Sequence, residues 1–178
     1  MMDCRAALVN ADGNYESALK GLVDQGIAKA AKKAERAANE GLVSQYIHPG
    51  GKIGVLIEVN CETDFVARND TFRELVRDIA MHVAAMPAQY VSRDQVPEAD
   101  IAALRTKFAA DASGKPAQVV ERILEGKLNK WFEEHVLLDQ PFVKDDDKSV
   151  GELIASRVGT LGENIRVRRF AKFALGEP

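Results

Sequence analysis

Between Glu58 and Asp70 the chain gathers four carboxylates, Glu58, Glu62, Asp64 and Asp70, around Asn60, Cys61, Thr63 and Asn69. Paired carboxylates can act as general acid and base, and oxygen-rich clusters can hold a divalent ion. This is the strongest enzymatic reading of the chain, and little else supports it. The three histidines, His48, His82 and His135, fall on a turn, a helix edge and a helix, without the spacing of shared ligands. No phosphate-cradling glycine loop with Lys-Ser/Thr and no nucleophile-elbow motif occurs. Within the same stretch sits Phe65, a large apolar side chain among acids, amides and a hydroxyl. A loop Phe in such company is most often a plug on its own domain. The functional alternative is an anchor offered to a partner and held by two rigid elements. The chain reads as a binding module rather than an enzyme.

The elements that would hold Phe65 are legible on both sides. Upstream, Leu42 to His48 reads as a strand and Pro49-Gly50-Gly51-Lys52 as a turn. Ile53, Val55, Ile57 and Val59 then alternate with Gly54, Leu56 and Glu58, which predicts a hairpin with one buried face. Downstream, Phe72, Leu75, Val76, Ile79, Ala80, Val83 and Met86 share one helical face, which Pro87 ends. Thr71-x-x-Glu74 has the form of a capping box, with Asn69 and Asp70 as rival caps. His82 lies at the edge of that stripe and reads as a packed or boundary residue.

The flanks are helical or short. Two helices are expected within residues 1–26, joined at Ala11-Asp12-Gly13-Asn14, the second ending at Gly26. Two short helices bury little, so a third, ahead of Met1, is expected to complete them. Residues 27–41 are alanine-rich with Lys29, Lys32, Lys33 and Arg36, and read as a solvated connector helix. A basic RNA-binding patch is the sharper alternative there. Pro97, Ile101, Leu104 and Phe108 mark a helix, broken at Ser113-Gly114-Lys115-Pro116. Val119 to Val136 continues at helical spacing, with Trp131 and Phe132 as core. Asp145-Asp146-Asp147 reads most simply as a solvated loop. Ser149-x-x-Glu152 caps a helix that Gly162 closes. Ile165 to Phe173 reads as a strand whose alternation slips at Arg168-Arg169, through a bulge or burial on both faces.

Bulk properties fit a compact chain. At 178 residues, 46% hydrophobic and 29% charged, it is long enough for one sizeable core. A net charge of −3 gives no general drive toward nucleic acid or anionic membrane. No apolar run approaches the roughly 20 residues that span a bilayer. Cys4 and Cys61 make neither a disulfide framework nor a zinc spacing, so a reducing cytoplasm is expected.

Asn60-Cys61-Glu62-Thr63-Asp64-Phe65-Val66-Ala67-Arg68-Asn69 strongly resembles the signature of elongation factor Ts, the exchange factor of the translational GTPase elongation factor Tu. Met1-Met2-Asp3-Cys4-Arg5-Ala6-Ala7-Leu8, Lys29-Ala30-Ala31-Lys32-Lys33-Ala34, Leu137 to Asp146 and Asn164 to Phe170 resemble further family segments in the same order. The resemblance implies an α+β fold. A small UBA-like helical domain (1–26, its first helix missing from this sequence) is followed by a connector helix (27–41). An antiparallel sheet packed by helices then forms an α+β core and dimerisation domain (42–178). It also implies a compact member with a single sheet subdomain, which by analogy pairs as a homodimer. The implied function is guanine-nucleotide exchange without a cofactor or metal of its own. Thr63, Asp64, Phe65 and Val66 would dislodge Mg2+ and disturb the phosphate loop of GDP-bound elongation factor Tu. Met1 and Met2 would make a second contact. Direct nucleic-acid binding is not expected. The competing class is an RNA- or ribosome-binding module using residues 29–36 and 166–169.

Overall fold

The computed structural model describes residues 2–111 and 116–177. In chain order its elements are α1 (Met2–Asn10), α2 (Tyr15–Lys33), β1 (Glu40–Ile47), β2 (Ile53–Cys61), α3 (Asp64–Ala67), α4 (Asp70–Ala85) and α5 (Glu98–Asp111). They continue with α6 (Ala117–His135), β3 (Pro141–Phe142), β4 (Asp145–Ser149), α7 (Val150–Leu161) and β5 (Arg166–Ala174). The class is α+β, as expected, with one three-stranded antiparallel sheet in the order β1-β2-β5.

β2 is the central strand. Leu42 faces Val59 and Tyr46 faces Val55 across β1, and Ile57 faces Phe170 across β5. The turn at 48–52 closes the expected hairpin, with Gly50 and Gly51 both at positive φ. The slip at Arg168-Arg169 is a bulge: Glu58 faces Arg169 but Val59 faces Val167, which leaves Arg168 as the extra residue. Val55, Ile57 and Val59 are buried on one sheet face against Phe72, Leu75, Ile79 and Val83 of α4. Each such side chain contributes roughly 1.5–3 kcal/mol. A second cluster, Val96, Leu128, Phe132 and Val136, lies where α6 meets the segment before α5 and is flanked by Trp131.

Several expectations need correction. Gly26 does not end a helix, because α2 runs unbroken to Lys33, and residues 34–39 are not helical. The helical part of the connector is therefore the second half of α2; it keeps most of its side chains in solvent, as expected, while Ala30 packs against the main core. A Cβ on Gly159 of α7 would stand 3.6 Å from Gly26 Cα, an ordinary van der Waals distance, so α2 and α7 lie against each other at this point. Lys33 Nζ donates to Gly162 O at 2.6 Å, just past the C-terminus of α7. Asp145 to Asp147 belong to β4, paired with β3, rather than to a loop. Asn69, not Thr71, caps α4, accepting the Thr71 N–H at 2.8 Å. The expected capping box at Ser149 and Glu152 forms in full. The break at Ser113 to Lys115 lies outside the described residues.

His82 is fully buried, the packed alternative of the two expected for it. Its Nδ1 accepts the Val143 N–H at 3.2 Å, so the proton sits on Nε2, which donates to Gln140 Oε1 at 2.9 Å. Gln140 Nε2 in turn donates to Glu134 O, which fixes the amide's orientation. Burial pushes the His82 pKa below 6.5, partly offset by the Gln140 bond. The unfolded chain thus takes up a proton as pH falls through about 6.5, where the folded chain does not. Stability should fall with pH in that window, at up to about 1.4 kcal/mol per pH unit for one proton. Urea unfolding between about pH 8 and about pH 5 checks this; His82→Gln should lose the slope that the ring contributes.

Candidate partner-binding site

β2 ends at Cys61 and α4 starts at Asp70, so residues 62–69 must turn the chain back onto the covered face of the sheet. They do so through α3, a single turn. A helix this short does not hold itself together, because nucleation costs more than one turn returns. Four attachments hold it. Val66 and Ala67 are each only 6% exposed and point into the main core. Thr63 sits at the N-cap with extended backbone, its Oγ1 accepting the Val66 N–H at 3.4 Å. The Cys61 S–H donates to Thr63 O at 3.2 Å; burial first, and the nearby Glu163 charge second, raise this thiol to about 11, so it stays protonated.

The fourth attachment comes from the turn between α7 and β5. Glu163 Oε2 accepts the N–H groups of Glu62 and Thr63, both at 3.0 Å, and Oε1 accepts the Thr63 hydroxyl at 2.6 Å. The grip is reciprocal, since Glu62 Oε1 accepts the Asn164 N–H at 2.7 Å. Asn164, buried, donates to Ala34 O and Arg36 O at 3.2 and 2.8 Å, which ties the end of α2 to the same turn. Sequence reasoning missed Glu163. Gly162 announces a turn there, but nothing local says which strand end that turn will face.

Phe65 is left outside. It is 79% exposed, so the plug-on-its-own-domain alternative does not hold. Asp64 pairs with Arg68 at 2.9 Å along the same turn, a mostly exposed bridge worth little in stability. Of the expected contact residues, Phe65 and Asp64 are presented to solvent, Thr63 shapes the turn, and Val66 anchors it from below. Met1 lies outside the described residues, and Met2 opens α1, which packs on α2.

The four carboxylates do not converge. Glu58 binds Arg169 at 2.7 Å and Arg168 at 3.2 Å, and the Arg169 bond foremost holds its pKa below the usual range. Glu62 faces Asn164 and Arg36, and Asp64 faces Arg68. The histidines are equally dispersed: His48 lies beside Tyr46, His82 is in the core, and His135 stacks on Trp131 with ring centroids 4.4 Å apart. Among the described residues, no group of three or more His, Cys, Asp or Glu side chains could hold a metal ion.

Residues 26–177 match the protein-family model described as elongation factor Ts. The chain belongs to the elongation factor Ts family. It is 54% identical over 180 residues to an elongation factor Ts of Anaeromyxobacter sp. (strain Fw109-5), covering 99% of this chain and 82% of that protein. It is 51% identical over 179 residues to those of Geobacter sulfurreducens and Moorella thermoacetica, covering 99% of this chain and 83% and 88% of theirs. Among the described residues, no helix is long and apolar enough to cross a membrane.

An exposed Phe and a buried Val side by side give an expectation for this elongation factor Ts turn. Phe65→Ala should leave stability within about 0.5 kcal/mol of the parent. Val66→Ala should cost roughly 1–3 kcal/mol. Chemical denaturation of both variants checks the contrast.

Proposed function

We propose that the chain is a guanine-nucleotide exchange factor acting in the cytoplasm on GDP-bound elongation factor Tu. The observation that carries this is Phe65, exposed at the tip of a turn that both strand and helix hold rigid. A bare aromatic on a mobile loop would lose much of its contact energy to ordering; one held in place does not. Phe65 enters the GTPase near its Mg2+ site as the apolar plug, with Asp64 beside it and Thr63 and Val66 setting its direction. Met1 and Met2, with the N-terminal helices, make the second contact. Burying one Phe is worth roughly 1.5–3 kcal/mol, or roughly 10- to 150-fold in an equilibrium constant. Larger weakening of nucleotide affinity comes from loss of Mg2+ and from the remaining contacts. Coupling is reciprocal, so nucleotide rebinding expels the factor to the same degree. No covalent bond is made or broken, and the chain is not an enzyme in the usual sense.

The RNA-binding alternative has less support. Lys33 donates to Gly162 O, Arg36 pairs with Glu62, Arg166 donates to Ala38 O, and Arg168 and Arg169 share Glu58. Much of the basic charge on which it relies is engaged within the chain.

A homodimer is supported by the uncovered sheet face. The register places Val43, Glu58 and Arg169 in one row, Gln45, Leu56 and Ala171 in the next, and Ile47, Gly54 and Phe173 in the third. Leu56 is 50% exposed and Phe173 72%. A second copy of the same face, apolar at its centre, is a self-complementary cover.

Release of a fluorescent GDP analogue from elongation factor Tu at fixed Mg2+ should accelerate strongly with this chain and much less with Phe65→Ala. Unchanged acceleration by the mutant would remove the plug role. In sedimentation, Leu56→Lys with Phe173→Lys should convert a dimer to monomer; a parent that stays monomeric at every concentration sinks the homodimer.

A further inference from the structure

We propose that Glu163, in the turn between α7 and β5, is a positioning residue for Phe65. Its carboxylate fixes the Thr63 hydroxyl in the one orientation that caps α3, and so aims the aromatic ring outward. The proposal rests on the exchange role inferred above, and Glu163 itself need not touch a partner.

A threonine hydroxyl has one proton to give and two lone pairs to offer. At 2.6 Å from Glu163 Oε1, the Thr63 proton is committed to the carboxylate, and the lone pairs are left for the Val66 N–H at 3.4 Å. Oε2 meanwhile takes the amide protons of Glu62 and Thr63, both at 3.0 Å. An ionised acceptor makes all three bonds charge-assisted, roughly twice as strong as neutral ones. The same turn also grips the end of α2, through Lys33 to Gly162 and Asn164 to Ala34 and Arg36. One short segment thereby sets the Phe65 turn and the N-terminal helices from a single point.

Glu163 is not what holds the fold together. Val66 and Ala67 stay buried without it, and the Glu62–Asn164 bond still joins the two segments. Its loss loosens the aim of α3 rather than the core.

A double-mutant cycle in GDP release from elongation factor Tu, using the full chain, tests this. Glu163→Ala should slow release by roughly tenfold or more. In a Phe65→Ala background, it should change release less than about twofold, because its effect travels through Phe65. Glu163→Gln, with one acceptor oxygen in place of two, should fall between. Equal slowing in both backgrounds, or none in either, overturns the positioning role. If Phe65→Ala releases GDP as fast as the parent, the exchange reading itself fails, and amide hydrogen exchange then decides Glu163 alone. The proposal requires the Glu62, Thr63 and Val66 amides of Glu163→Ala to exchange roughly tenfold faster while Ile57 and Val83 stay unchanged. Unaltered protection at the turn, or uniform loss across the sheet, overturns it.

Discussion

Covering one face of the three-stranded sheet with α4 constrains everything near Phe65. β2 is hydrogen-bonded on both sides, and its Val55, Ile57 and Val59 are pinned by Phe72, Leu75, Ile79 and Val83. The chain leaving β2 at Cys61 must therefore reverse and enter α4 at Asp70 without disturbing either. Within residues 62–69 only one helical turn fits. Its inward side chains, Val66 and Ala67, are consumed by the core. Phe65, out of phase with them, has nowhere to go but solvent. Its exposure follows from the geometry of the strand-to-helix connection and would be costly to remove.

Exposure alone would not make an anchor. An unsupported single turn frays, and an aromatic on it would sample many directions before binding. The supports come from three directions: the core beneath, the Cys61 thiol behind, and Glu163 from across the sheet. Glu62 and Asn164 return the bond in the opposite sense, so each segment satisfies backbone donors of the other. Backbone N–H groups left over where a strand ends and a helix begins need partners. Here the partners lie about a hundred residues away in sequence, so the turn inherits the rigidity of the whole sheet.

The same economy governs the charges. Glu58 takes two arginines that the bulge brings to it, Glu62 takes Arg36, and Lys33 caps α7. Large apolar side chains are also left exposed, among them Phe65 at one end of β2, and Leu56 with Phe173 on the open sheet face. A chain that pairs much of its basic charge internally and leaves these side chains bare is suited to protein partners more than to a phosphate backbone.

Much of this was open to reading in one dimension. The period-2 run from Ile53 to Val59 and the period-3.6 run from Phe72 to Val83 each name their own buried face, because burial selects side chains one face at a time. The capping box at Ser149 is local chemistry and was equally legible; the slip at Arg168-Arg169 was legible too, but pairing with β2 decided that it is a bulge. The length of α2 was not legible, since a glycine costs a helix interior only about 1 kcal/mol and need not end it, and the contact with α7 at Gly26 is made only in the fold. A packed His82 was legible, but its two partners, Gln140 and Val143, were not, because they come from another part of the chain. Around Phe65 the division is sharpest. Local sequence determined that a loop with an aromatic would stand between strand and helix; that it folds as a single helical turn capped by Thr63 was not read there. Whether the ring would face inward or outward was decided by tertiary structure. The reason is that the pieces fixing it, the α4 surface below and Glu163 beside, are brought there only by the fold.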